Sequence, residues 1–271
     1  VLDRDTRSHF SLVKTVLNQM RYPIVQIKTK DKLCLHGLFL EASKSKTIFL
    51  HTHGTASNFY EEDFTEFLSK KFLENQISVL FADNRGAYVY DSYQKSGAAV
   101  EKFEDCIIDL DAWVGFTIQH GYENIILSGH SLGTEKVVYY MNNGNYKDKI
   151  KALVLLAPAD SVGYHLFDNG KSSGVDKLRI ESLLKTAQDL IVHGEENTFL
   201  PRDSYGGIMP KSAKSFVNFL GPDSELSKAL PFHKRKLEMY NKIDIPIIAI
   251  IGDQEEYTAI PVPEALELLK K

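Results

Sequence analysis

The 271 residues are 43% hydrophobic and 25% charged, the balance of a folded globular chain, which excludes a disordered or fibrous polypeptide. Lys and Arg total 32 against 36 Asp and Glu, a net charge of -4 with no basic run, which argues against a nucleic-acid or anionic-membrane binder. The two cysteines, Cys34 and Cys106, are too few for a disulfide framework and lack C-x-x-C spacing, so a reducing compartment, the cytoplasm first, is expected.

No apolar stretch approaches the roughly 18 to 20 residues of a bilayer span. The opening residues carry acids where a secretory signal would be basic and then apolar, so a soluble protein is expected. The chain starts on Val, and Leu268 to Lys271 read as the middle of a helix, so both ends read as trimmed.

In chain order, Ser8 to Met20 places Phe10, Val13, Val16, Leu17 and Met20 at helical spacing and predicts a short flanking helix. Ile24 to Thr29 and Leu33 to Leu40, split by Lys30-Asp31-Lys32, predict an antiparallel hairpin. Strands are predicted at Thr47 to Leu50, Ile77 to Ala82, Ile125 to Ser128, Ala152 to Leu156 and Ile247 to Ile251. Helices are predicted at Phe59 to Leu73, Val100 to His120, Leu132 to Met141 and Glu264 to Leu269. Apolar strands alternating with helices predict an α/β fold, a mostly parallel sheet covered on both faces, with the hairpin as its antiparallel edge.

Between Pro158 and Asp244 the alternation lapses and glycines accumulate. A segment that leaves the sheet after one strand and returns at the next reads as an inserted cap. The predicted organisation is a core of residues 1-158 and 244-271 with a cap of residues 159-243.

The chemistry concentrates at strand ends. Gly129-His130-Ser131-Leu132-Gly133 joins a predicted strand to a predicted helix, the context of a G-x-S-x-G nucleophile elbow. Glycines flank the serine because the turn is too tight for side chains, and the serine backbone must be strained for its hydroxyl to point away from the sheet. The helix start behind Ser131 offers the Leu132 amide to an oxyanion, and His53-Gly54-Thr55, at the end of the Thr47 strand, offers that of Thr55. His53 and His130 line the same place. His51-x-His53 lacks a third ligand at metal-site spacing, so no metal is expected. Asp83-Asn84-Arg85-Gly86 reads as a loop tie, and Asn169-Gly170-Lys171-Ser172 lacks the partner glycine and strand of a phosphate loop.

With Gly252-Asp253-Gln254-Glu255-Glu256-Tyr257 after the last strand, the sequence resembles the α/β-hydrolase superfamily, whose chain order is nucleophile, acid, histidine. The resemblance implies Glu255 as the acid that orients the histidine, with Asp253 as the alternative. In the 159-243 segment, Ala187 to Pro201, Pro210 to Ala213 and Phe216 are loosely similar to the branch that contains siderophore esterases. The resemblance implies a serine hydrolase acting on a small-molecule carboxylic ester, without a cofactor. Thioester cleavage and acyl transfer are reactions the same machinery supports.

The superfamily places its histidine one strand beyond the acid, yet no histidine follows Glu255. The base is therefore expected beyond residue 271, with His165, His193 and His233 of the cap as the internal alternatives. The rival expectation is a non-catalytic ligand-binding protein of the same fold that lacks the base.

Overall fold

The computed structural model describes residues 23-166, 177-207, 209-254 and 257-270. The predicted Ser8 to Met20 helix, the Asn169 to Ser172 loop and Glu255 lie outside them.

Seven strands form one sheet in the order β1-β2-β4-β3-β5-β6-β7. They are β1 (Ile24–Lys28), β2 (Cys34–Leu40), β3 (Thr47–Thr52), β4 (Ser78–Ala82), β5 (Asn124–His130), β6 (Ile150–Leu156) and β7 (Ile247–Ile250). The β1-β2 hairpin is antiparallel and β2 pairs antiparallel with β4, while the other four pairings are parallel. The burial of each strand explains its place. Every residue of β4 is buried, as are Ile48 to Thr52 of β3, whereas the outer strands β1 and β7 alternate with more exposed positions. A strand that is apolar on both faces is stable only between two neighbours and two layers.

The helices among the described residues are α1 (Thr65–Glu74), α2 (Cys106–Gln119), α3 (Leu132–Asn143), α4 (Ser161–Leu166), α5 (Lys177–Val192), α6 (Ala213–Leu220), α7 (Leu226–Ala229), α8 (Glu238–Asn241) and α9 (Val262–Leu269). On one face Leu50, Leu80, Leu127 and Leu153 pack with Trp113 of α2 and Val137 of α3. On the other, Phe49, Val79 and Phe81 meet Phe64, Leu68 and Phe72 from α1 and the turn before it. Trp113 is fully buried, and its Nε1 donates to the Asp83 carbonyl at 2.7 Å, so the largest side chain of that core leaves no polar atom unsatisfied.

Two helix starts differ from the sequence reading, each because other groups draw off the residues of the expected first turn. The first helix begins at Thr65, not Phe59, because Asn58 Oδ1 accepts the Tyr60 and Glu61 amides and Asp83 Oδ1 accepts that of Phe59. The second begins at Cys106 after a three-ten turn at Phe103–Asp105, because Glu101 is drawn into a buried ion pair and the Phe103 amide donates to Asn218 Oδ1.

Between β6 and β7 the described chain forms helices and two isolated bridges, Phe199 with Ser212 and Tyr205 with Met209. Ile180, Ala187, Phe216, Phe219 and Leu226 gather there in an apolar cluster that also takes in Leu132 and Tyr139 of α3. Leu230, Phe232, Leu237, Tyr240 and Ile243 instead join the cluster beneath the sheet, so the last part of this segment is built into the main core.

Candidate active site

The parallel strands end together: Thr52 pairs with both Ala82 and Gly129, His130 with Leu156, and Leu156 with Ile250. The turns that follow β3, β4, β5, β6 and β7 therefore converge on one end of the sheet, where ligands of parallel sheets bind.

Ser131 occupies the turn between β5 and α3 with φ 52° and ψ -123°, a backbone conformation that a side chain strongly disfavours. It is held there from several sides. The Ser131 amide donates to the Leu156 carbonyl at 3.0 Å, and the Ser131 carbonyl accepts from the Thr134 amide at 2.8 Å and the Thr134 hydroxyl at 2.6 Å. The glycines leave no room for alternatives. A Cβ on Gly129 would lie 2.2 Å from the Gly133 carbonyl oxygen, and one on Gly133 would lie 2.6 Å from the Thr52 carbonyl oxygen.

The turn after β3 lies directly against the serine. A Cβ on Gly54 would stand 3.0 Å from Ser131 Cβ and 3.6 Å from Ser131 Oγ. Thr55 thus follows a residue that touches the Ser131 turn, and Leu132 opens α3, where a first-turn amide has no intrahelical acceptor. His53 is fully enclosed beside this turn: its Nδ1 donates to the Gly54 carbonyl at 2.8 Å, and its Nε2 accepts the Asn84 amide at 3.1 Å. Burial, and then the nearby Lys136 charge, push the imidazole down to about 3, so it stays neutral. Its ring braces the turn, as both nitrogens are engaged.

Behind that turn, Asn84 donates to Thr52 Oγ1 and accepts from Lys136 Nζ at 2.8 Å, and Lys136 pairs with Glu101 at 2.7 Å, both ions being buried. Arg85 is drawn away from the strand ends by Asp109, Asp31 and Asp105, in keeping with a loop tie.

His130 and His51 meet on one carboxylate that sequence reasoning missed. Glu62 Oε1 takes His130 Nδ1 at 2.8 Å and Glu62 Oε2 takes His51 Nε2 at 2.7 Å. His51 Nδ1 also contacts Ser128 Oγ at 3.0 Å. The pair His51 and His53 therefore diverges to separate partners, and among the described residues no group of ligands could hold a metal.

The loop after β7 lies beside the loop after β6: the Asp160 amide donates to the Tyr257 carbonyl at 2.8 Å, and the Tyr164 and Tyr257 rings are 4.7 Å apart. Asp253 of this loop is exposed. A second buried acid, also missed, is Asp160, which accepts the His233 amide at 2.7 Å, His233 Nδ1 at 2.6 Å and the Gly163 amide at 2.7 Å. Of the other histidines between β6 and β7, His165 is buried against Tyr205 and held down to about 3 by burial and the Lys211 charge, and His193 bonds the Asp189 carbonyl. Among the described residues no side chain hydrogen-bonds the Ser131 hydroxyl.

The family model for serine aminopeptidase, S33, matches residues 41-205. No curated protein matches the chain. Among solved structures, the Pyrococcus furiosus esterase Pf2001 aligns over 92% of this chain and 75% of its own at 20% identity, with a TM-score of 0.54. Est1E from Butyrivibrio proteoclasticus aligns over 91% of this chain and 83% of its own at 16% identity and a TM-score of 0.60, and it has also been solved with ferulic acid bound. An Exiguobacterium antarcticum esterase, EaEST, aligns over 90% and 85% at 17% identity and a TM-score of 0.53. These likenesses show a shared fold. Among the described residues no helix is long and apolar enough to cross a membrane. With the family match spanning the sheet from β3 through the serine turn to β6, the chain belongs to the serine aminopeptidase S33 family of α/β-hydrolases.

Proposed function

We propose that this protein hydrolyses small carboxylic esters through an acyl-enzyme on Ser131. The observation that carries the reading is the strained Ser131 backbone with the Gly54-Thr55 turn packed on it. A serine kept at positive φ costs stability that packing alone does not require, and such strain gathers where a side chain must be aimed.

In this reading Ser131 Oγ attacks the ester carbonyl, its proton passes to a histidine base, and the amides of Leu132 and Thr55 hold the oxyanion as it forms. The alcohol leaves with the proton, and water then releases the acid by the reverse sequence. Glu255 orients the base, with Asp253 of the same loop as the alternative. His53 and His130 support the oxyanion side. The part of the 159-243 segment that shares an apolar cluster with Leu132 acts as a cap, while Leu230 to Ile243 belong to the core beneath the sheet. The ester preference is supported by the esterases of this fold, and free thiols at Cys34 and Cys106 support a reducing, cytoplasmic setting.

The second reading is ligand binding without turnover, which holds if no histidine reaches the Ser131 hydroxyl in the full protein. A fluorophosphonate separates the two, since labelling requires an activated hydroxyl. Labelling of Ser131, with loss of labelling and of p-nitrophenyl ester hydrolysis in Ser131→Ala, is the expected result. An unlabelled, folded protein means a binder. Faster cleavage of aminoacyl p-nitroanilides than of esters would replace the esterase reading with a peptidase.

A further inference from the structure

We propose that Glu62 is a positioning residue that sets the spacing between the two halves of the oxyanion site, an inference that rests on Ser131 being the nucleophile. The two amides that would hold the oxyanion follow different strands, Thr55 after β3 and Leu132 after β5. The ladder between these strands ends at Thr52 with Gly129, so no backbone hydrogen bond of the sheet fixes the turns beyond that pair. Their separation depends on what bridges them.

Glu62 is placed to do so. Its carboxylate is nearly enclosed and accepts from His51 of β3 through one oxygen and from His130, the residue before Ser131, through the other. The same residue closes the segment that starts at Gly54 and carries Thr55, and its carbonyl accepts the Thr65 amide that begins α1. One side chain thus joins the β3 end, the serine turn and the far end of the Thr55 loop. A carboxylate only accepts hydrogen bonds, so the ring nitrogens facing it, His51 Nε2 and His130 Nδ1, carry the protons. Burial opposes the charge, but the hydrogen bonds from His130 and His51 outweigh it and bring the carboxyl down to about 2. The clamp therefore stays closed across the neutral range.

A clamp that merely glues the fold would change how much protein is folded. One that sets the oxyanion site would change how tightly each folded molecule binds the tetrahedral state. The test compares wild type, Glu62→Ala, Glu62→Gln, His130→Ala and the Glu62→Ala/His130→Ala double variant. It measures kcat per fluorophosphonate-titrated site, KM for a short activated ester, Ki for a trifluoromethyl ketone and Tm.

Glu62→Ala should lower kcat by about 10- to 100-fold with KM within about threefold, and weaken the ketone by the same factor as kcat. Glu62→Gln, which keeps one acceptor, should fall between, and it serves if the alanine variant does not fold. The double variant should be no worse than Glu62→Ala, because both single changes break one linkage. Unchanged kcat per titrated site and unchanged ketone affinity, with only Tm lowered, would overturn the role of Glu62 while leaving Ser131 in place. Multiplicative losses in the double variant would do the same. A wild-type protein that is not labelled at Ser131 overturns the underlying reading, and this inference with it.

Discussion

Gly54 and Ser131 touch: a Cβ on the glycine would lie 3.0 Å from that of the serine. The contact joins turns from two neighbouring strands at the point where the proposed chemistry occurs. Gly54→Ala must therefore push the turns apart by a few tenths of an ångström. We expect kcat/KM to fall about tenfold to a hundredfold with little change in Tm, since small misplacements of reacting groups are costly. Equal activity in the alanine variant would mean that the Thr55 amide does not take part.

The Ser131 backbone predicts a gain in stability from losing function. Only glycine occupies φ 52° with ψ -123° without strain, so Ser131→Gly should raise unfolding stability by about 1 kcal/mol while abolishing hydrolysis. Urea unfolding of the two proteins measures it. A destabilised glycine variant would show that the hydroxyl holds the turn together.

Lys136 and Glu101 form a buried ion pair at 2.7 Å, and Lys136 also supports Asn84 beneath the His53 turn. Removing one charge strands the other, so Glu101→Gln should cost about 3 to 5 kcal/mol. Glu101→Leu combined with Lys136→Met should recover most of that, read from denaturant midpoints at constant slope. If the double variant is no better than Glu101→Gln, the pair's further hydrogen bonds outweigh its charges.

Asp83 gives a pH signature. Burial lifts its carboxyl to about 7, against the hydrogen bond from the Phe59 amide. The folded state then holds this proton more tightly than the unfolded chain, whose value is about 3.9. The contribution is fully present below about pH 4 and is lost as pH rises through 7, by at most about 4 kcal/mol. Asp83→Asn keeps the acceptor and drops the titration, so it should gain on the wild type as pH rises from 4 to 8. A stability difference that stays flat with pH would place the carboxyl near its ordinary value.

What the sequence disclosed is what is local along the chain. The elbow is five consecutive residues between a strand and a helix, and the His53-Gly54-Thr55 turn ends a strand whose apolar run is plain, so each can be read as a strand-end turn from the chain alone. Glu62 was hidden because its partners lie 11 and 68 residues away, and because it falls in a stretch whose spacing reads as a helix until Asn58 and Asp83 intercept the amides. Asp160 and His233 are 73 residues apart, and neither carries a motif. Spacing reports faces of elements, whereas such pairs are made by tertiary packing.

The adjacency of β3 and β5 also bears on when the protein becomes competent. Thr47 and Asn124, paired at the start of the two strands, are separated by the whole of β4, α1 and α2. Closing so long a loop delays folding, because its entropy is lost before the contacts form. During synthesis the Gly54-Thr55 turn leaves the ribosome well before the serine it faces, and Leu156, which anchors Ser131, follows later still. The Ser131 turn can therefore acquire its strained geometry only after the central sheet has closed.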